Sequence, residues 1–265
     1  MSGQALESVR ILVIDDEEGM REGMRRVLAG KGFAVRTAGD GETAMKMLDE
    51  SPCDIALVDL KMPGIDGFKV TEHIAERFGS RTVVVIVSAL ATVDAAVEVT
   101  RHGAFDFLVK PFTPGDLMMV VERAVRQRQL IQEREKFLSE LQADYRAKTT
   151  AYVSQLLFSA STPEPVKARV LKTMLSVPQE IGVAAVRSSV TYDPLPALRE
   201  IKAPIRAING DRFPTNVEGN RRHVPGYQVA IMKGVGHYLM LEQPEAFNAL
   251  LAEALRELAR SGGRR

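Results

Sequence analysis

The sequence predicts an α/β protein: a doubly wound, five-stranded parallel sheet, then a long connecting helix, then a partial lobe with two strands. Three observations predict it. Five short apolar runs alternate with stretches of helical period up to about residue 125. A mixed charged and apolar segment from Arg126 to Arg146 then continues without a stop signal. Beyond Ser161 only two further runs read as strands, Ile205–Asn209 and Tyr227–Met232.

The elements follow in order. Arg10–Ile14 is an apolar run that ends in Asp15, Asp16, Glu17 and Glu18. Glu18–Ala29 places Met20, Met24, Val27 and Leu28 on one helical face, and Gly30 and Gly32 stop it. Phe33–Thr37 reads as a strand and Gly41–Glu50 as a helix. Asp54–Val58 is a buried strand leading to Asp59, and Met62-Pro63-Gly64 is a turn. Asp66–Phe78 is helical. Thr82–Val87 is a β-branched run suited to a central parallel strand, and Val93–Arg101 is helical. Ala104–Val109 is a strand followed by Lys110 and Pro111. Thr113 caps the next helix, with Pro114 at its first position. Past the long helix, Ser161–Pro165 breaks the pattern, Glu164–Leu175 and Pro178–Ser188 are helices, and Tyr192–Pro196 is a loop. Pro244–Ala259 is an amphipathic helix with Phe247, Leu250, Leu251, Leu255 and Leu258 on one side.

Composition narrows the function classes. The 265 residues suit two modest domains. A net charge of +1 gives no general pull toward nucleic acid or membrane. A single cysteine, Cys53, allows no intrachain disulfide and reads as a small buried residue. No apolar run approaches the ~20 residues of a membrane span, and residues 1–10 lack a signal-peptide pattern. The expected location is the cytoplasm.

The chemistry concentrates at strand ends. Asp15, Asp16 and Asp59 follow the first and third strands, whose C-terminal ends share a crevice in an open parallel sheet. Packed carboxylates repel one another, and a hard divalent cation such as Mg²⁺ relieves the repulsion. Lys110 follows the fifth strand and supplies a second positive charge. Ser88 follows the fourth and offers a hydroxyl to a phosphoryl oxygen. Asp40, Asp66 and Asp106 read as cap or loop residues, and His73, His102 and His223 as surface residues without metal-ligand spacing.

Four segments, Ile11–Glu18, Leu57–Gly67, Val87–Ala89 and Phe105–Phe112, closely resemble the receiver domain of response regulators. The resemblance covers about residues 8–128 and implies a flavodoxin-like fold. It implies that Asp59 is the phosphoacceptor, taking a phosphoryl group from a sensor histidine kinase in a Mg²⁺-dependent reaction. It implies metal ligation by Asp16, Asp59 and the Lys61 backbone carbonyl, with Asp15 assisting through water. Ser88, Lys110 and the aromatic Phe107 are the implied phosphoryl-binding and switch residues.

The C-terminal half resembles another family in part. Ile201–Thr215 and Gly234–Asn248 are similar to the end of the α/β-hydrolase fold, and the helices from Leu141 to Ser189 to its lid, so the likeness runs over about 141–259. It points to His237 and Asp211 as the catalytic histidine and acid. No Gly-x-Ser-x-Gly elbow occurs anywhere in the chain, and the commonest acid position, three after Gly210, holds Phe213. A histidine without a nucleophile runs no acyl transfer, so both residues read as relict and no enzyme activity beyond the receiver's own phosphorylation and dephosphorylation is expected. Two strands make a marginal sheet, which should either extend the receiver sheet or pair with a partner chain.

The expected organisation is a receiver over 1–125, a helical linker over 126–160 and a hydrolase-like domain over 161–265. The expected output is an interaction module controlled by phosphorylation, with a homodimer formed through the long helix or the C-terminal lobe. The alternatives are a hydrolase completed in trans and, with few basic residues around Gln179–Ser189 to favour it, a DNA-binding regulator.

Overall fold

The computed structural model describes residues 9–89 and 102–262 and divides into two compact units, Met1–Glu135 and Lys136–Arg265. The helix expected at Val93–Arg101 lies outside the described residues.

The first unit holds β1 (Arg10–Ile14), α1 (Glu18–Ala29), β2 (Ala34–Ala38), α2 (Gly41–Glu50), β3 (Ile55–Asp59), α3 (Gly67–Phe78), β4 (Val83–Ser88) and β5 (Asp106–Val109). The helix α4 (Pro114–Ala143) starts in this unit. The strands are parallel throughout, in the order β2-β1-β3-β4-β5. β2, β3 and β4 each sit one residue later than the sequence reading and β5 starts two later, because the ladder bonds, not the apolar run, set strand limits.

Alternation along the strands builds two cores. Ile11, Val13, Ile55, Leu57, Val83 and Val85 face α1 and α4, where Leu28, Leu117 and Val121 meet them. Leu12, Ile14, Ala56, Val58, Val84 and Ile86 face α2 and α3, through Leu48, Val70 and Ile74. Both faces are thus covered, as a parallel sheet requires, and each fully buried aliphatic side chain contributes about 1.5–3 kcal/mol.

Side-chain caps fix the helix starts. Asp40 accepts from the Thr43 amide at 2.7 Å and Asp66 from the Lys69 amide at 3.0 Å. At α4, Thr113 and Asp116 cap each other: the Thr113 amide donates to Asp116 at 2.9 Å and the Asp116 amide to Thr113 Oγ1 at 3.2 Å. At the end of the sheet opposite the strand C-termini, just before the central strand β3, Asp54 accepts from the Arg10 amide at 3.0 Å, Arg10 Nε at 3.2 Å and Arg128 Nε at 3.4 Å. Burial pushes the Asp54 carboxyl up, but hydrogen bonds from Arg10 and the charges of Arg10 and Arg128 outweigh it and hold it below the usual range. Cys53 is buried, and desolvation pushes its thiol up to about 12.

The second unit contains the end of α4, α5 (Tyr145–Tyr152), a π-helical turn (Val153–Leu157), α6 (Glu164–Leu175), α7 (Gln179–Thr191) and α8 (Leu195–Glu200). It continues with β6 (Arg206–Gly210), α9 (Val217–His223), β7 (Gln228–Met232), α10 (Leu239–Glu242) and α11 (Pro244–Gly262). The expected helix through Arg146 breaks at Asp144, whose side chain accepts from the Ala147 amide at 2.9 Å and starts α5. Part of the expected Tyr192–Pro196 loop is the first turn of α8, where Pro196 suits an early helical position. β6 and β7 pair in parallel as a separate two-stranded sheet and do not join the five-stranded one. Ile208, Met232, Phe247 and Leu250 form a small core between that sheet and α11.

Candidate phosphoacceptor and metal site

The chain enters the sheet at β1, moves outward to β2, then returns past β1 to β3. This reversal opens a crevice at the C-terminal ends of β1 and β3. Asp15 follows β1 and Asp59 ends β3, and both are buried, while Asp16 is exposed. One carboxylate oxygen from each of the three lies within 4.8 Å of the others.

Backbone groups and one lysine orient them. Asp15 Oδ1 accepts from the Glu17 amide at 3.0 Å, and Asp59 Oδ1 from the Lys61 amide at 3.1 Å. Lys110 Nζ reaches across from the end of β5 to Asp59 Oδ2 at 2.6 Å and Asp15 Oδ2 at 2.8 Å. The Lys110 amide donates to the Ser88 carbonyl at 2.9 Å, which ties the loop after β5 to the end of β4. Ser88 is buried there. Phe107 on β5 is turned outward and is 44% exposed. For Lys61 the observed contact is through its amide rather than its carbonyl.

Charge at the site is unbalanced. Among the described residues the three carboxylates meet one lysine side chain, while Arg21 Nη1 donates to the Asp15 backbone carbonyl at 2.6 Å. Burial raises the Asp15 carboxyl above its ordinary value; Lys110 opposes this, and Asp59 adds to it. Burial also disfavours the Lys110 ammonium, but Asp15 and Asp59 outweigh burial and raise it. Asp15 Oδ2 is fully buried and, despite the nearby ammonium, has no hydrogen bond of acceptable direction. A buried, unsatisfied carboxylate oxygen among hard oxygen donors fits a dication such as Mg²⁺.

This predicts a gain of stability on damage to the site. A raised carboxyl binds its proton more tightly in the folded chain, so the ionised form costs stability above the folded value, and the cost fades as pH falls toward ~3.9. Without divalent cations, Asp15→Asn should raise the melting temperature at pH 7 by several degrees, about 1 kcal/mol, and should lose that advantage near pH 3. A calorimetric scan at both pH values checks it. A lower melting temperature at pH 7 would show that the Lys110 contact outweighs the cost of burial.

Asp40 and Asp66 are helix caps, and Asp106 pairs with Arg123 at 2.7 Å. His73 and His102 are better anchored than free surface residues: they meet Asp49 and Glu72, each at 3.1 Å. In the second unit, Asp211 follows β6 and its Oδ1 accepts from the Gly234 amide at 2.9 Å. His237 is exposed; its amide donates to the Leu157 carbonyl at 2.7 Å, and its ring lies edge-on to Tyr238. Among the described residues no hydrogen bond or ion pair joins the Asp211 and His237 side chains. One local cluster had no sequence signal. Glu242 Oε2 accepts from Ser159 Oγ at 3.1 Å and from the Gly236 amide at 2.9 Å, and Ser161 Oγ donates to the Gly234 carbonyl at 2.6 Å. Contacts between residues 83 and 73 apart in the chain leave no local pattern to read.

The family model of the response regulator receiver domain matches residues 11–122. Regulatory protein AtoC of Escherichia coli strain K12 is 37% identical over 117 residues, which are 44% of this chain and 25% of AtoC. The DNA-binding transcriptional regulator NtrC of the same strain is 36% identical over 115 residues, 43% of this chain and 24% of NtrC. A crystal structure of the receiver domain of NtrX from Brucella abortus is 31% identical, with a TM-score of 0.42, over 44% of this chain and 98% of that one. The chain spans about a quarter of the length of the curated relatives it matches. Among the described residues no helix is long and apolar enough to cross a membrane. Receiver domains bind Mg²⁺ through an acidic pocket, and the Asp15, Asp16 and Asp59 cluster can hold such an ion. Residues 11–122 are the receiver domain of a two-component response regulator, homologous to those of AtoC and NtrC.

Proposed function

We propose that this chain accepts a phosphoryl group on Asp59 from a sensor histidine kinase in the cytoplasm and uses it to control association through its C-terminal half. The observation that carries this reading is a buried Asp59 carboxylate grouped with two others and bound by a single lysine. A carboxylate oxygen of Asp59 attacks the phosphorus of a phosphohistidine. The nitrogen–phosphorus bond breaks, its electron pair leaves with the imidazole, and an acyl phosphate remains on Asp59. Lys110, 2.6 Å from Asp59 Oδ2, balances charge on the transferred group. Asp15, Asp16, Asp59 and the Lys61 carbonyl would hold Mg²⁺, whose chemistry there is neutralisation of the phosphoryl oxygens. The Ser88 hydroxyl binds the phosphoryl group, and outward Phe107 is the aromatic that reports it.

In this reading residues 1–125 are the phosphoacceptor domain, 126–160 the helical connector and 161–265 the responding module. We read 141–259 as a remnant of an α/β-hydrolase: Asp211 is occupied by a backbone amide, and the Ser159 hydroxyl is held by Glu242. Incubation of the full chain with a low-molecular-weight phosphodonor and Mg²⁺ tests the proposal. The intact mass should rise by one phosphoryl group, a chelator should prevent the rise, and sedimentation should report a changed association state. An unchanged mass with Mg²⁺ present would sink the reading.

A further inference from the structure

The three clustered carboxylates are not held alike. Asp15 is well anchored: its amide donates to the Ala38 carbonyl at 3.2 Å, its Oδ1 accepts from the Glu17 amide at 3.0 Å, and its Oδ2 faces Lys110 Nζ at 2.8 Å. Asp59 is held by the Lys61 amide at 3.1 Å and by Lys110 at 2.6 Å. Asp16 is exposed, and its side chain makes no hydrogen bond or ion pair among the described residues. Yet one of its carboxylate oxygens stays within 4.8 Å of the other two, against the repulsion of like charges.

Arg21 supplies a restraint. It lies in the first turn of α1, and its Nη1 donates to the Asp15 carbonyl at 2.6 Å. That oxygen belongs to the peptide group joining Asp15 to Asp16. The group is planar, so fixing its oxygen also fixes the amide and Cα of Asp16. The Arg21 amide donates to the Glu17 carbonyl at 3.0 Å, so one residue grips the backbone on both sides of Asp16. A charge-assisted bond such as that to Asp15 is stronger than a neutral one.

The loop after β2 leaves room for the guanidinium. A Cβ on Gly39 would stand 3.3 Å from Arg21 Nη1, 3.5 Å from Cζ and 3.6 Å from Nη2, so the flat face of the group covers this position. Gly39 has no positive φ. Its missing side chain therefore provides space, not backbone freedom.

We propose that Arg21 is a positioning residue for the divalent cation, holding Asp16 in its ligating arrangement through the Asp15 carbonyl. The inference rests on the reading of Asp16 as a Mg²⁺ ligand and adds a residue that acts through another. Charge alone predicts the opposite sign. A guanidinium beside the cluster repels a dication, so removing a mere bystander would tighten Mg²⁺ binding.

The melting temperature of the full chain against Mg²⁺ concentration measures the affinity, each variant being referred to its own metal-free value. Arg21→Met should weaken Mg²⁺ about tenfold, the scale on which lost outer-shell support is felt. Arg21→Lys keeps the charge and a donor and should lose about threefold or less. Gly39→Val retains the arginine but fills its place, and should weaken Mg²⁺ as Arg21→Met does. The double variant should be no weaker than either single one, because both break the same contact. Asp16→Asn should weaken Mg²⁺ as well. Tighter or unchanged binding in Arg21→Met, with Asp16→Asn weakened, would overturn the role of Arg21 alone. A lower metal-free melting temperature with an unaltered Mg²⁺ response would do the same, reducing the arginine to a fold contact. Should Arg21→Met fail to fold, wild-type affinity in Gly39→Val would overturn the inference. Unchanged binding in Asp16→Asn would overturn the ligand assignment and this inference with it.

Discussion

Asp59→Asn should reduce phosphoryl uptake to background while leaving the receiver folded. The amide has the size and shape of the carboxylate, so the β3 ladder and the close packing beneath it persist. What disappears is the nucleophile: an amide oxygen forms no acyl phosphate. Lys110 keeps its second carboxylate, Asp15, at 2.8 Å, so the variant strands no cation. Loss at Asp59 should be all or none, whereas Lys110→Ala should slow uptake without abolishing it, because that residue stabilises charge and does not react. Intact-mass kinetics with a small phosphodonor separate these outcomes. Residual uptake in Asp59→Asn at a rate near wild type would place the acceptor on another residue, with exposed Asp16 first to be examined.

Gly67→Ala should be the most destabilising single methyl in the receiver. A Cβ at Gly67 would lie 2.1 Å from the Asp59 carbonyl oxygen and 2.8 Å from Leu60 Cα. Both are backbone atoms of the segment that carries the acceptor, so no side chain can swing away to make room. Either α3 moves off the sheet or the end of β3 shifts, at a cost on the order of 3 kcal/mol or more. That is a large part of the ~5–15 kcal/mol holding a domain together. Urea unfolding followed by circular dichroism should show a markedly lower midpoint. The folded fraction should also take up phosphoryl groups slowly, since the displaced atoms position Asp59. Gly64→Ala provides the contrast: open space surrounds that position, and only the strain of its φ of +79° opposes the substitution. Equal midpoints for Gly67→Ala and wild type would contradict the packing described.

The receiver was legible because two independent signals coincide in it. Ile11–Ile14 and Ile55–Val58 are unbroken apolar runs buried on both faces, alternate residues entering the two cores, and turn residues follow the strands. The carboxylates could be placed from strand order alone, since residues after β1 and β3 meet wherever the chain reverses direction in a parallel sheet. Lys110 could be placed at the same site from its position after the fifth strand, but its bridge to both carboxylates could not. It depends on the reach of Lys110 from β5 to two other strands, a distance no local pattern encodes. The second unit was less legible for a physical reason. Its small cores bury few residues each, so tertiary contacts such as Ser159 with Glu242 do more of the shaping than periodicity does. The break at Asp144 shows the same limit: charged residues continue through it, and only the cap on the Ala147 amide marks a new helix.

The charge pair at the far end of β3 has a mechanical consequence. The strand is five residues long, roughly 17 Å. Asp54, just before it, is bound by Arg10 and Arg128, and Asp59, at its end, is bound by Lys110. The strand is therefore a strut pinned at both ends, one pin permanent and the other exchangeable. Arg128 belongs to α4, so the permanent pin joins the acceptor strand to the helix that leaves the receiver. A displacement of Lys110 at one end would load a rod whose other end already grips that helix. Slow amide exchange throughout β3, in either phosphorylation state, would be the signature of such stiffness.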